Sequence, residues 1–135
     1  MIGLVVATHG TLGEALLNTV TMIVGPPVRA CAVSLSREQA PDELRALLTG
    51  AINRLDLEGD GVLLAVDMFG GTPANIGMTL LAPGRVELVT GVNLPMLLKF
   101  FTHRESYPLA ELAGRLKEHA RDSIVLASEE LARHF

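Results

Sequence analysis

The chain has 135 residues, is 49% hydrophobic and 19% charged, and carries a formal net charge of −4. This is the composition of one folded α/β-sized domain over residues 1–135, not of a disordered chain. The acidic balance leaves no basic footprint for a nucleic-acid binder, although a local basic rim is compatible with it. Aromatic residues make up 4% and Trp is absent, so the core has to be built from Leu, Val, Ile and Ala. The single cysteine, Cys31, excludes an internal disulfide and lies in an apolar run as a small hydrophobe.

Ile2–Thr8 reads as a first strand. It has no basic n-region, and no apolar stretch approaches a membrane span, so a cytoplasmic chain is expected. Thr11-Leu12-Gly13-Glu14 is a capping-box pattern. It opens a helix over about 12–24 that stops at Gly25-Pro26-Pro27. Val28–Leu35 is a second strand. Leu44, Leu47, Leu48, Ala51, Ile52 and Leu55 recur at three- and four-residue steps, the clearest helix of the chain. Pro41, Asp42 and Glu43 suit its first turn. Val62–Val66 follows as a short apolar strand covered on both faces. Thr72 as cap and Pro73 at the first position start a helix reaching about Leu81. Arg85–Thr90 is a fourth strand, Leu94–Phe101 a short helix, and about 109–120 another. Ser123–Ala127 has the composition of a fifth strand, and Ser128-Glu129-Glu130 starts a terminal helix. Strands alternating with helices predict a parallel α/β sheet.

Three strands end in polar or glycine-rich loops: Thr8-His9-Gly10, Asp67 to Thr72, and Thr90-Gly91-Val92-Asn93. Open α/β sheets bind ligands at the carboxyl ends of their strands, where the strand order reverses. If the first and third strands are neighbours, His9 and Asp67 share that rim. An imidazole beside a helix N-terminus sits where phosphate is attracted, and it can take up a phosphoryl group. Alone, His9 reads more readily as a polar loop residue, and Asp67 as a turn aspartate or the cap of its own loop. Together they make a dyad, in which the carboxylate fixes the tautomer and leaves the other ring nitrogen free to attack. A carboxylate also favours the protonated ring, which cannot attack. The coupling must therefore be weak, or Asp67 must be hydrogen-bonded elsewhere.

Gly70 and Gly71 let backbone approach an anion, or form an ordinary tight turn. Thr72 supplies a hydroxyl and a helix-start N–H for phosphoryl oxygens. Gly10 supports the turn after His9. Asn75 braces the loop or is a plain surface residue, and Asn93 suits a helix cap better than a phosphate ligand. His103, His119 and His134 read as structural or solvated. No zinc-site spacing, P-loop, nucleophile elbow or convincing dinucleotide fingerprint is present.

Gly3-Leu4-Val5-Val6-Ala7-Thr8-His9-Gly10 resembles the phosphohistidine segment of the mannose-type enzyme IIA of the bacterial phosphoenolpyruvate:sugar phosphotransferase system (PTS). Val66-Asp67-Met68-Phe69-Gly70-Gly71-Thr72-Pro73-Ala74-Asn75 resembles its second motif, and Thr90-Gly91-Val92-Asn93-Leu94-Pro95-Met96-Leu97 a third. The resemblance covers almost the whole chain, and the second motif is the specific one. It implies a three-layer doubly wound fold with four parallel strands in the order 2-1-3-4. A C-terminal antiparallel strand, matched by Ser123–Ala127, can be exchanged across a homodimer.

It also implies a phosphotransferase acting through phosphohistidine. The phosphocarrier HPr phosphorylates His9 on the nitrogen farther from the backbone, and a IIB component accepts the group. Asp67 partners the ring and Thr72 lies beside the phosphoryl group. No metal or organic cofactor is expected, and the membrane is reached only through the permease complex. No fused IIB domain is seen, so a IIB partner is expected to be separate, or absent. Arg37 and Lys99 are the basic residues nearest the motifs for a docking rim. Two further roles fit the same motifs: a phosphorylation-switched regulatory protein, and a IIA-like donor to a dihydroxyacetone kinase. A passive module binding a phosphorylated metabolite is the third.

Overall fold

Leu4, Val5, Val6 and Ala7 have no exposed surface, and neither has any residue from Val62 to Val66. A strand loses both its faces from water only when it lies inside a sheet with helices packed above and below. The structure, a computed structural model describing residues 1–134, has that architecture. The elements are β1 (Gly3–His9), α1 (Leu12–Val24), β2 (Ala30–Leu35), α2 (Pro41–Leu55), β3 (Val62–Val66), α3 (Thr72–Met78), β4 (Val86–Val89), α4 (Leu94–His103), α5 (Leu109–Asp122) and α6 (Ala127–His134). The four strands run parallel in the order β2-β1-β3-β4, as the motifs implied.

Alternation along the strands divides the core in two. Leu4, Val6, Leu63 and Ala65 meet α1, α4 and α5 through Leu17, Val20, Met96, Leu97, Phe100 and Leu112. Val5, Ala7, Val62, Leu64 and Val66 meet α2 and α3 through Leu44, Leu48, Ile52 and Ile76. Each fully buried Leu, Ile or Val contributes about 1.5–3 kcal/mol by its removal from water. Arg104, following α4, is the one charged residue buried as a whole among the described residues. Its guanidinium donates to the carbonyls of Ile2 (2.6 Å), Val28 (2.7 Å) and Arg29 (3.3 Å), and lies over the Phe100 and Phe101 rings. Burial pushes its pKa down.

Several sequence expectations are corrected. The capping box at Thr11 and Glu14 does not form: Thr11 makes no side-chain cap. The hydroxyl of Thr8, fully buried at the strand end, accepts the Gly13 N–H instead at 2.8 Å. Thr72 is the first residue of α3 and not its cap, a place taken by Gly71 with no side-chain hydrogen bond. The helix stops at Met78, three residues short of Leu81. Residues 123–126 form no strand among the described residues. Helix α5 reaches Asp122, its end turned by the Ser123 N–H and hydroxyl on the His119 carbonyl. Ile124, Val125 and Leu126 then stand 79%, 56% and 60% exposed. A strand forms against an edge, and within one chain this segment pairs with none.

Candidate functional site

The strand order reverses between β1 and β3, and the chain leaves both strands at the same end of the sheet. Ala7 is in register with Val66, so His9 lies two residues past that pair and Asp67 one. On its other side His9 is in register with Leu35 of β2, and the Gly10 N–H donates to the Leu35 carbonyl at 3.0 Å. The end of β1 is thereby held between two neighbours, and the His9 side chain emerges 53% exposed.

Asp67 is the anchor. Its Oδ2 accepts from Nδ1 of His9 at 2.9 Å and from the His9 backbone N–H at 3.0 Å. Nδ1 is therefore the protonated nitrogen and Nε2 carries the free lone pair. Burial on its own raises the Asp67 carboxyl. The two hydrogen bonds from His9 outweigh burial, joined by the positive charge of the ring when it is protonated, and hold the carboxyl below its ordinary value. The second carboxylate oxygen, Oδ1, is buried without a hydrogen-bond partner among the described residues. The carboxylate is thus engaged through one oxygen only, and by one residue.

Gly70 has a φ of +90°, a backbone conformation that a side chain disfavours, and it turns the chain from β3 towards α3. Gly71 lies close against the imidazole. A Cβ there would lie 3.0 Å from Cε1 and 3.5 Å from Nε2 of the His9 ring. The missing side chain keeps the approach to Nε2 open. Thr72 follows, exposed, its hydroxyl without a partner among the described residues, and the first-turn N–H groups of α3 have no intrahelical acceptor. His9, Ser36, Arg37, Gln39 and Thr72 share a cleft of about 570 Å³, floored by Leu35 and Leu44.

The remaining candidates lie apart from this cleft. Asn75 is exposed, with no side-chain hydrogen bond among the described residues. Asn93 is the cap of α4: its Oδ1 accepts the Met96 N–H at 3.0 Å, and its Nδ2 donates to the Ala120 carbonyl at 3.3 Å. Arg37 stands at the site, but Lys99 lines a separate groove with Glu111, Glu118 and Asp122 on α5. His103 stacks on Tyr107 at the end of α4, and His134 faces Glu130. Cys31 is half-buried and burial raises its thiol. Among the described residues no three His, Cys, Asp or Glu side chains converge as metal ligands. No helix is long and apolar enough to cross a membrane. Sequence reasoning missed Thr8 and the contact between Gly71 and the ring. A hydroxyl at a strand end before a predicted helix was the available signal for the first.

The family described as "PTS system fructose IIA component" matches residues 3–117. The fructose-specific EIIA component of Bacillus subtilis (strain 168) is 32% identical over 134 residues, covering 98% of this chain and 91% of its own length. The mannose-specific EIIAB component of Escherichia coli (strain K12) is 29% identical over 125 residues, covering 91% of this chain, and the chain spans 38% of that relative's length. Among solved structures, a mannose/sorbose-specific IIA subunit from Enterococcus faecalis superposes with a TM-score of 0.81 at 25% identity over 93% of each chain. The PTS IIA protein associated with the fucose utilization operon of Streptococcus pneumoniae gives 0.84 at 25% identity, over 96% of this chain and 95% of its own.

Proposed function

The chain belongs to the mannose-type IIA family of the sugar phosphotransferase system, a family of phosphoryl carriers, and on that footing we propose that His9 is the residue that carries the group. In this reading phosphorylated HPr is the donor, a IIB component is the acceptor, and the exchange takes place in the cytoplasm. The observation that carries the reading is the His9–Asp67 hydrogen bond through Nδ1, with Nε2 left free beside Gly71.

The Nε2 lone pair attacks the phosphorus of the donor's phosphohistidine. The N–P bond of the donor breaks, and its ring nitrogen keeps the electron pair. The Nδ1 proton of His9 stays in place. The newly phosphorylated ring is therefore cationic, and the Asp67 carboxylate stabilises it. A donor ring protonated on its other nitrogen leaves neutral, so charge balances. The Thr72 hydroxyl and the N–H groups at the start of α3 bond the phosphoryl oxygens while negative charge moves between partners. Delivery to IIB reverses these steps.

The test is intact-mass measurement after incubation with phosphoenolpyruvate, enzyme I and HPr. One phosphoryl group, acid-labile, is expected on the wild type and none on His9→Ala. An unlabelled wild type would overturn the reading.

The same family reading makes the chain a homodimer in which the segment after α5 adds an antiparallel strand to the partner. The edge of β4 beyond Val86, which Ala82 bridges, supports this, with the apolar groove of Met78, Leu81 and Leu88 beside it and the exposed Ile124-Val125-Leu126 segment. Sedimentation should give a dimer for the wild type and a monomer for Val125→Lys.

A further inference from the structure

One side of the cleft is made by a turn that the transfer chemistry above leaves unused. Ser36 to Gln39 follows directly on Leu35, the β2 residue in register with His9. Gln39 braces this turn twice: its N–H donates to the Ser36 carbonyl at 3.4 Å, and its Oε1 accepts the Ser36 N–H at 3.2 Å. Arg37 stands at the corner of the turn. It is exposed and lines the same cleft as His9 and Thr72.

Arg37, unlike most of the arginines, has no partner within the fold; Arg54 likewise forms no ion pair among the described residues but lies on α2 and does not line this cleft. Arg29 pairs with Glu58, Arg85 with Asp56 and Arg115 with Glu111, while Arg45 bonds Thr79 and Arg104 is buried. Arg37 has neither an ion pair nor a hydrogen bond among the described residues. It is also the one permanently cationic side chain lining this cleft, in a chain whose net charge is −4. Two negative charges arrive here with a phosphoryl group, and a planar guanidinium matches two of its oxygens at once.

We propose that Arg37 is a catalytic residue of this site: its guanidinium binds the phosphoryl oxygens while the group moves onto and off Nε2 of His9. The inference rests on His9 as carrier. No proton is exchanged at Arg37. It donates hydrogen bonds to non-bridging oxygens while the donor's N–P bond breaks and the bond to Nε2 forms. Thr72, which lines the same cleft at the start of α3, holds the group with it.

Single-turnover transfer from phosphorylated HPr, followed over a range of acceptor concentrations, separates affinity from maximal rate. Arg37→Ala is expected to lower the maximal rate by roughly tenfold to a hundredfold, less than an arginine in a sealed site. The half-saturating concentration should be nearly unchanged, and Arg37→Lys should recover part of the rate. A phosphorus NMR titration of the phosphorylated protein gives a second readout. A bound cation favours the dianion, so the phosphoryl group of the wild type should lose its second proton at lower pH than that of Arg37→Ala. A change confined to the half-saturating concentration would make Arg37 a docking residue and overturn the proposal. So would superimposable titrations. A wild type that takes up no phosphate would remove the carrier reading, and this proposal with it.

Discussion

The two ends of the sheet treat polar groups in opposite ways. At the amino-terminal end, the buried Arg104 guanidinium donates to three backbone carbonyls, and the Glu58 carboxylate is shared by Arg29 and the Met1 amino group. At the carboxyl-terminal end, Nε2 of His9 is free, Oδ1 of Asp67 lacks a partner, and Met68 and Phe69 stand 53% and 71% exposed. Both ends contain a charged group beside strand termini. One joins segments remote in sequence and has little bonding capacity to spare, whereas the other leaves capacity unused, on a buried carboxylate oxygen and on an exposed ring. Unsatisfied polar atoms are rare in folded proteins, so their position separates the end that holds the fold together from the end that meets partners.

Substitutions at the two ends should therefore affect different measurements. The largest effect belongs to His9→Ala, which should abolish phosphorylation yet change unfolding free energy by less than about 1 kcal/mol, because the side chain is half in water. Arg104→Ala should do the reverse. It leaves the Ile2 and Val28 carbonyls without their donors and should cost about 3 kcal/mol in urea unfolding, while the folded fraction still accepts phosphate. A loss of phosphate uptake at full folding would break the division between the ends.

Asp67→Asn should slow transfer on the order of 10²-fold, less than the same change in a sealed catalytic triad. It should also alter the acid side of the stability profile. The Asp67 carboxyl lies below its ordinary value in the folded chain. Its contribution is therefore complete above the unfolded pKa and is lost as pH falls through the folded one. Urea midpoints of wild type and Asp67→Asn should converge in strong acid. Glu58→Gln tests the opposite end and should give the smallest effect. Arg29, and then the Met1 amino group, hold that carboxyl at about 2. Its contribution is present above the ordinary glutamate range and fades towards pH 2, and full exposure keeps it small. A midpoint shift at neutral pH that vanishes in acid is the expected result.

What could be read from the chain follows from the range of the interactions. The apolar runs at residues 2–8 and 62–66 identify buried strands because both faces have to be covered, and nothing polar fits there. His9 and Asp67 could be paired because each is the first polar group beyond such a run apart from Thr8, and neighbouring strands bring their ends together. The role of Thr8 was missed: a capping box at Thr11 satisfies the local rule, but the Thr8 hydroxyl takes the Gly13 N–H instead. Arg104 was out of reach for a different reason. Its acceptors are backbone carbonyls up to 102 positions away, and carbonyls carry no residue identity. The segment 124–126 has strand-like composition without a strand within one chain, since pairing depends on an edge that composition does not encode.

Both hydrogen bonds that orient the imidazole end on the same oxygen of Asp67 and start from the same residue. They close a small chelate between one amide, one ring and one carboxylate. The torsional freedom of the ring is lost once, when the protein folds, and need not be lost again at each encounter. In the proposed carrier role the donor meets the Nε2 lone pair and the acceptor meets the N–P bond that replaces it, both at one fixed bearing. Angular tolerance in docking then has to come from the visiting proteins and the exposed loop beside the ring.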